Sequence, residues 1–287
     1  MRLSGRVAVV TGAGRGIGRA VAQALAREGA RVVLAARTGQ QLAETAAAID
    51  RLGGQAAAVV ADVSAPASVE RLFAQAQAQW GQVDILVNAA AVQTPIGPFV
   101  QIDPAAWMRA VAVNLFGTVL CCRAALPGMI ERGRGAIVNF SGGGATSPRP
   151  RFSAYAAAKA AVVRFSETLA EELRGTGVRV NAVAPGAANT AMLDQILAAG
   201  AQAGEAELAK ARRCRAGGGT PVELVAELVV FLACDGAAGL SGKLISAPHD
   251  GWQDWTPQRI AALARTPWYT LRRLDPFTIR SLDITKA

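Results

Sequence analysis

Short apolar runs alternate with helical segments along most of this chain. Such runs suit strands that are buried on both faces, as in parallel sheets. Seven of them are predicted as strands, at residues 7–10, 31–37, 56–61, 83–87, 135–141, 178–183 and 243–246. Helices are predicted between and after them, at residues 19–28, 40–52, 66–80, 103–132, 153 onwards, 190–216 and 221–233. The alternation predicts a doubly wound, Rossmann-like α/β fold with a seven-stranded parallel sheet, in which ligands bind at the carboxyl edge of the strands.

The first predicted strand runs directly into a glycine-rich turn, Thr11-Gly12-Ala13-Gly14-Arg15-Gly16-Ile17-Gly18. A strand, a glycine-rich turn and a helix in this order can hold a pyrophosphate between backbone N–H groups at the helix N-terminus. The spacing departs from GxGxxG, and tight strand–helix turns also use glycine for structural reasons alone. Because the flanking strand and helix are both predicted, we expect a phosphate site here. Its candidate residues are Gly12, Arg15, Gly16, Ile17 and Gly18.

The second predicted strand ends at Ala36 and Arg37. In dinucleotide folds an acidic residue at this point binds the ribose 2′-hydroxyl of NAD, whereas an arginine accommodates the 2′-phosphate of NADP. Arg37 and Arg15 supply two cations, and no carboxylate is present to repel a phosphate. The sequence therefore favours NADP(H) over NAD(H); the alternative is two solvated arginines that contact no ligand.

Tyr155 and Lys159 lie four residues apart in an alanine-rich segment that begins at Ser153. The composition favours a helix, and Ser153 is predicted to be its N-cap. On a helix the phenol and the ammonium occupy one face within a turn. A nearby cation favours phenolate and lowers the tyrosine pKa from its usual value of about 10. The pair could exchange a proton with a hydroxyl or carbonyl oxygen; the alternative is an ordinary surface pair.

The composition restricts the class of protein. The 287 residues allow one large domain or two small ones, and 52% hydrophobic residues are enough for a sizeable core. The net charge of +9 is spread without any run of five or six like charges, so we expect no nucleic-acid partner. An anionic small ligand would account for part of the excess.

Cysteine usage and hydropathy point to a cytoplasmic protein. The four cysteines have no CxxC spacing and only one histidine accompanies them, so no metal site is expected. Free buried thiols in a reducing cytosol are the expectation. Neither a signal segment nor a run of 18 consecutive apolar residues is found, so no membrane partner is expected.

Six short motifs in order and spacing resemble the short-chain dehydrogenase/reductase family over residues 3–251. They are Thr11-Gly12-x-x-x-Gly16-x-Gly18, Asp62-Val63, Asn88-Ala89-Ala90, Asn114, Tyr155-x-x-x-Lys159, and Pro185-Gly186 followed by Thr190. The resemblance implies that the glycine turn carries the pyrophosphate and that Asp62 and Val63 flank the adenine. Asn88 would line the cofactor cleft. Pro185, Gly186 and Thr190 would hold the nicotinamide end.

The same resemblance implies the chemistry. Tyr155 would be the acid/base, Lys159 would lower its pKa and bind the nicotinamide ribose, and Asn114 would anchor a water in a relay to Lys159. The implied activity is NADP(H)-dependent hydride transfer between nicotinamide and a carbonyl or secondary alcohol, by a homodimer or homotetramer. Two alternatives remain open: an epimerase or dehydratase that uses the cofactor transiently, and a non-catalytic NADP(H)-binding protein.

The chain departs from the family pattern at the catalytic serine. That serine normally lies 13 residues before the tyrosine, where this chain has Gly142. Loss of one positioned hydrogen-bond donor typically costs about 10²–10³ in rate. Ser141, Gly142 and Gly143 are therefore candidate substrate contacts, with compensation expected from the N–H groups of Gly143 or Gly144, from the Ser141 hydroxyl, or from the substrate.

Three further features lie outside these motifs. Ala89 and Ala91 replace the family's usual Asn and Gly, and His249 is the only histidine, for which a structural role is favoured over a general-acid role. Residues 190–216, followed by Gly217-Gly218-Gly219, are predicted to form a mobile helical flap. Residues 1–251 are predicted to be the NADP-binding catalytic domain.

Residues 252–287 form a C-terminal extension rich in aromatic residues. It contains Trp252, Trp255, Trp268, Tyr269 and Phe277, together with Arg272 and Arg273. Because such rings bury large apolar areas, we expect a strap packed on its own subunit or at an oligomer interface. The alternative is a segment that closes the substrate pocket and supplies arginine to an anionic substrate.

Overall fold

The computed structural model describes residues 1–275, and the seven predicted strands are confirmed in it with shifts of one or two residues at their ends. The strands are β1 (Val7–Thr11), β2 (Arg31–Ala36), β3 (Gln55–Val60), β4 (Ile85–Asn88), β5 (Gly135–Phe140), β6 (Val178–Ala184) and β7 (Leu244–Ser246). They form one parallel sheet in the order β3-β2-β1-β4-β5-β6-β7. The order reverses between β1 and β4, which makes that junction the expected ligand crevice of a doubly wound sheet.

Helices cover both faces of the sheet, as predicted. They are α1 (Gly16–Arg27), α2 (Gly39–Asp50), α3 (Pro66–Trp80), α4 (Pro104–Val111), α5 (Gly117–Glu131), α6 (Ser153–Glu172), α7 (Ala191–Ala199), α8 (Glu205–Arg213), α9 (Val222–Ala233) and α10 (Pro257–Ala264). One apolar cluster joins the sheet to α1, α2 and α9, and a second joins its other face to α3, α5 and α6. Neighbouring strand residues alternate between the two clusters, as the period of a strand requires.

The prediction that Ser153 caps α6 is wrong. Phe152 holds the N-cap position, and Ser153 is the first residue of the helix. The Ser153 hydroxyl instead accepts a hydrogen bond from Trp107 Nε1 at 3.1 Å. A tertiary partner on α4 therefore replaces the local cap.

The segment 190–216 is helical with glycine breaks, as predicted. A 3₁₀ turn (Gly200–Ala203) separates α7 from α8, and a π turn (Cys214–Gly218) follows α8. Gly200, Gly204 and Gly217 have φ of 53°, 83° and 102°, a region that L side chains rarely adopt. We call residues 191–213 the flap.

The described part of the C-terminal extension packs on its own subunit, in the manner of a strap. Trp252 and Trp255 are buried in the cluster of α1 and α9. The Leu244 N–H of the edge strand β7 donates to Tyr269 O at 2.7 Å, and Lys243 Nζ donates to Thr266 O at 2.6 Å. Phe277 lies outside the described residues.

One helical stretch, 104–131, is long and apolar enough by length and composition alone to cross a membrane. It comprises α4, a π turn (Ala112–Phe116) and α5, and it packs against α6 and α3. Residues 205–218 and helix α9 would pass the same test only if they were counted together as one span, and the two are bent by 89° relative to each other. Core helices of globular proteins commonly have this composition, so the feature carries little weight.

Candidate active site

The glycine turn after β1 has the geometry of an anion cradle. Gly12 has φ 67°, and a Cβ there would lie 2.8 Å from Ala90 N. A Cβ on Gly18 would lie 2.2 Å from Gly12 O, so only glycine permits the turn to close. Helix α1 has no side-chain N-cap, which leaves its first N–H groups to bind an anion.

An open cleft begins at this turn and follows the carboxyl edge of the strands. Nine of the predicted cofactor residues line it: Gly12, Arg15, Gly16, Ile17, Gly18, Arg37, Asp62, Val63 and Thr190. Ala36 and Thr38 lie beside Arg37 in the lining, so no carboxylate faces that end of the cleft from the end of β2. A hydrogen bond from the Ser64 hydroxyl, with help from Arg37, lowers the pKa of Asp62 and keeps it ionised.

Threonine and asparagine side chains organise the strand ends beneath the cleft. Thr11 Oγ1 accepts hydrogen bonds from the N–H groups of Ala89 and Ala90, both at 3.1 Å. Asn88 Nδ2 donates to Asn139 Oδ1 at 2.9 Å. Asn88 Oδ1 is buried and has no hydrogen-bond partner among the described residues, so it remains available to a bound group or a water.

Asn114 lies in the π turn between α4 and α5 and is fully buried. Its Nδ2 donates to Val92 O and Ala110 O, both at 2.8 Å, and its Oδ1 accepts from Val92 N at 3.2 Å. The side chain therefore fixes the loop after β4. The water relay to Lys159 stays a prediction.

Tyr155 and Lys159 share one buried face of α6. Lys159 Nζ lies 5.7 Å from the centre of the Tyr155 ring and donates to Phe140 O at 2.8 Å. Burial lowers the pKa of Lys159 to about 8. Burial also raises the pKa of Tyr155, and the cation that opposes this rise is Arg149 rather than Lys159. The net direction is upward because desolvation of the phenol dominates, and a lowering by Lys159 in the working enzyme stays a prediction.

The loop after β5 explains how Gly142 is accommodated. A Cβ at position 142 would lie 2.2 Å from Tyr155 Oη, so the phenol occupies the space that a side chain would need. At Gly143 the nearest contact of a Cβ would be an ordinary 3.6 Å, to Arg149. The Ser141 hydroxyl is buried without a hydrogen-bond partner in the described part of the chain.

Pro185 and Gly186 follow β6 at the carboxyl edge, where Gly186 has φ 74° and a Cβ would meet Thr220 Oγ1 at 2.2 Å. Neither lines the open cleft, and neither do Tyr155, Lys159 or Asn88. Tyr155 is only 6% exposed because the flap covers it. His249 is exposed in the turn after β7.

The sequence did not indicate Arg149, which lies beside the phenol. Its Nε and Nη2 donate to Glu207 Oε2 at 2.9 and 2.7 Å, and its Nη1 donates to Gln93 Oε1 at 3.3 Å. Glu207 is 58 residues away on α8, so no spacing rule could pair the two. Gln195 was also missed; it lines the cleft with a buried Oε1 that has no hydrogen-bond partner among the described residues.

Arg272 of the extension contacts helix α6 of its own subunit. Its Nη1 lies 3.5 Å from Glu167 Oε2 on α6, and Leu271 N donates to Glu167 Oε1 at 2.5 Å. All four cysteines are free and buried, as predicted. Within residues 1–275 no group of three His, Cys, Asp or Glu side chains could hold a metal ion.

Comparison with known proteins adds to this geometry. The short chain dehydrogenase family profile matches residues 6–200. The 2-(S)-hydroxypropyl-CoM dehydrogenase 3 of Xanthobacter autotrophicus is 40% identical over 243 residues, which cover 84% of this chain and 94% of that protein. The cis-4-hydroxycyclohexanecarboxylate dehydrogenase of Sinomonas cyclohexanicum is 39% identical over 84% of this chain and 94% of its own length. The crystal structure of an actinorhodin polyketide ketoreductase variant with NADPH has a TM-score of 0.78 and 32% identity, covering 86% of this chain and 96% of that chain.

Proposed function

The chain belongs to the short-chain dehydrogenase/reductase family of oxidoreductases that act on alcohols and ketones, and we propose that it is an NADP(H)-dependent member with Tyr155 as its acid/base. The observation that carries this proposal is the arrangement of one cleft: an uncapped helix N-terminus and glycine cradle at one end, and a buried phenol–lysine pair beyond the other. The free backbone N–H groups at this helix N-terminus fit the pyrophosphate of a dinucleotide.

When bound, the nicotinamide supplies or accepts the hydride. In the reducing direction Tyr155 gives its phenolic proton to the carbonyl oxygen as that oxygen gains negative charge, and in the oxidising direction it takes the hydroxyl proton back. Lys159, with one N–H on Phe140 O, retains two further N–H groups for the cofactor ribose and for stabilising the phenolate. Asn114 holds the loop that borders the cleft.

The preference for NADP(H) rests on charge at the end of β2. Arg37 and Arg15 line the cleft and are exposed, so each can reach a 2′-phosphate at little desolvation cost. A carboxylate that would select the 2′-hydroxyl of NAD is missing at position 36. NAD(H) is the weaker alternative.

The proposed substrate is a small carbonyl or secondary alcohol, and an anionic group on it is one expectation from the net charge of +9. Exposed Met108 and Phe116 on the stretch 104–131 support assembly into a homodimer or homotetramer. The four buried thiols support a reducing compartment such as the cytoplasm.

The deciding experiment measures NADPH and NADH oxidation across a carbonyl library, with product analysis after incubation with 4-deuterated NADPH. We expect deuterium on the carbinol carbon and loss of turnover by a factor of about 10² or more in Tyr155→Phe, because the substrate oxygen then has no proton donor. A Tyr155→Phe variant with near-wild-type turnover would refute the assignment. Isomerisation without net loss of NADPH would instead indicate an epimerase or dehydratase, and tight NADPH binding without any turnover would indicate a binding protein.

A further inference from the structure

Arg149 is the most heavily bonded charged side chain near the phenol, and nothing in the proposed reaction accounts for it. The Arg149 and Glu207 side chains are only 12% and 14% exposed. The guanidinium carbon lies 3.9 Å from the centre of the Phe152 ring and 5.7 Å from that of Tyr155. A charge so far removed from water has to be compensated, and Glu207 compensates it.

The pair joins two parts of the chain that enclose Tyr155. Arg149 belongs to the loop between β5 and α6, and Glu207 belongs to the flap. Leu193 and Ile196 of the flap pack with Tyr155 and Phe152 in one apolar cluster. Gln93 forms a second link to the flap, because its Nε2 donates to Met192 O at 3.4 Å. Its Oε1 also accepts a hydrogen bond from Arg149. Glycines with positive φ lie between α7 and α8 and after α8, where the backbone can pivot.

We propose that Arg149 is a positioning residue: its ion pair with Glu207 holds the flap closed over Tyr155, and the closed flap holds the guanidinium against the face of the phenol ring. This inference rests on the proposed function, in which Tyr155 is the acid/base. It couples closure of the substrate pocket to the electrostatic environment of the reacting phenol, because one side chain takes part in both.

The charged groups that face Tyr155 are few. Lys159 faces it from its own helix and Arg149 from the preceding loop. The flap contributes apolar side chains to this cluster, and the residue after it, Cys214, contributes a thiol whose pKa burial raises, so neither adds a charge beside the phenol. Burial of the Glu207 carboxyl is the largest single effect and opposes ionisation. The hydrogen bonds and positive charges of Arg149 and Lys210 together outweigh it and lower the pKa of Glu207, so the carboxyl stays ionised.

The same arrangement gives a reason for the missing serine. The phenol fills the space beside Gly142, so no side-chain donor can reach it from that position. Arg149 has five N–H groups, of which three are used by Glu207 and Gln93 within the described residues. Arg149 therefore supplies a cation near the phenol ring, which favours the phenolate, where the family pattern would have a neutral donor.

The first test concerns the flap. Hydrogen exchange of the amides of residues 191–213 is measured in the full chain for Glu207→Gln, Arg149→Met, Arg149→Lys and Asp194→Asn. The control removes an ion pair of the same flap, Asp194 with Arg215, whose side chains are 60% and 46% exposed. We expect exchange to rise about tenfold or more in Glu207→Gln and Arg149→Met, to rise less in Arg149→Lys, which keeps a cation beside Glu207, and to be unchanged in the control. A hydrogen-bonded charge pair that is shielded from water stabilises the closed flap by about ten- to hundredfold, and an exposed pair stabilises it little.

The second test concerns the phenol. The pH dependence of kcat for alcohol oxidation reports groups in the closed substrate complex. We expect Arg149→Met to shift the rise of kcat with pH to higher pH, because the phenol loses a nearby cation. Arg149→Lys should return the pH profile to that of the wild type. Glu207→Gln should raise KM about ten- to hundredfold with a smaller effect on kcat. A purely structural role for Arg149 would leave the pH profile where it is.

Each outcome decides the inference. We call the Arg149–Glu207 ion pair the latch. The proposal that it holds the flap closed would be refuted if amide exchange of the flap were unchanged in Glu207→Gln or rose equally in Asp194→Asn. An unshifted pH profile in Arg149→Met would refute the electrostatic coupling. Melting temperatures identify variants that fail to fold, and the conservative Glu207→Gln keeps the test open if Arg149→Met is unstable. A wild-type protein without turnover would refute the proposed function instead, while the hydrogen-exchange experiment would still report on the latch.

Discussion

A serine at position 142 would bring its Cβ within 2.2 Å of Tyr155 Oη and 2.9 Å of Tyr155 Cζ. Both separations are far below van der Waals contact, and the ring is buried against the flap, so it cannot move aside freely. Overpacking of this kind costs about 1–3 kcal/mol of stability. For a protein of this size we expect a fall in Tm of about 2–4 °C for each kcal/mol.

The same variant should slow the reaction. Relief of the clash requires the phenol to shift by about 1 Å, and a misplacement of that size can cost about 10² in rate. If the chain simply lacked one hydrogen-bond donor, Gly142→Ser would instead restore it and raise kcat by up to about 10²–10³. The two expectations have opposite sign, so a single comparison of kcat separates them.

Two matched variants isolate the cause. Gly142→Ala adds the Cβ without a hydroxyl and should reproduce most of the loss of Tm and kcat. Gly143→Ser adds the same side chain to an exposed neighbour where a Cβ would meet nothing closer than 3.6 Å, and it should leave Tm unchanged. A Gly142→Ser enzyme with an unchanged Tm and a raised kcat would refute this reasoning.

Two further predictions follow from charge. Arg37→Gln should raise the KM for NADPH about tenfold or more and leave that for NADH unchanged, with exposed Arg51→Gln as control; equal effects on both cofactors would contradict a 2′-phosphate contact. Burial lowers the pKa of Lys159 to about 8 from 10.5. Between these two pH values the Lys159 amine is protonated in the unfolded chain but not in the native protein. The unfolding free energy of the wild type relative to Lys159→Met should therefore rise by about 1.4 kcal/mol per pH unit between pH 8 and 10.5; urea titrations giving a flat difference would contradict it.

The sequence predicts features that short stretches of chain determine by themselves. The apolar runs correspond to β1 to β7 because strands of a parallel sheet are buried on both faces and need no polar alternation. The glycine turn is predictable because Gly12 and Gly16, with φ of 67° and 55°, adopt backbone conformations that other residues avoid. The family resemblance adds the order of the motifs.

Features that depend on distant partners could not be predicted. Ser153 has the right residue type for an N-cap, yet its hydroxyl binds Trp107, 46 residues away. Arg149 and Glu207 carry no pattern that would pair them, and the position of the phenol against Gly142 depends on how α6 packs on β5. These contacts arise only once the sheet and its helices are assembled.

The sign of the tyrosine pKa shift shows why spacing alone cannot give the chemistry. Four residues on a helix bring Lys159 near Tyr155, and in water that proximity would lower the phenol pKa. In the fold both side chains are buried, Lys159 is bound to Phe140 O, and desolvation raises the phenol pKa instead. The resting protein therefore holds the proton on Tyr155, which is the form that reduction of a ketone consumes. Oxidation of an alcohol needs the phenolate, so it depends more strongly on a cation near the ring, and removal of the Arg149 charge should impair oxidation more than reduction.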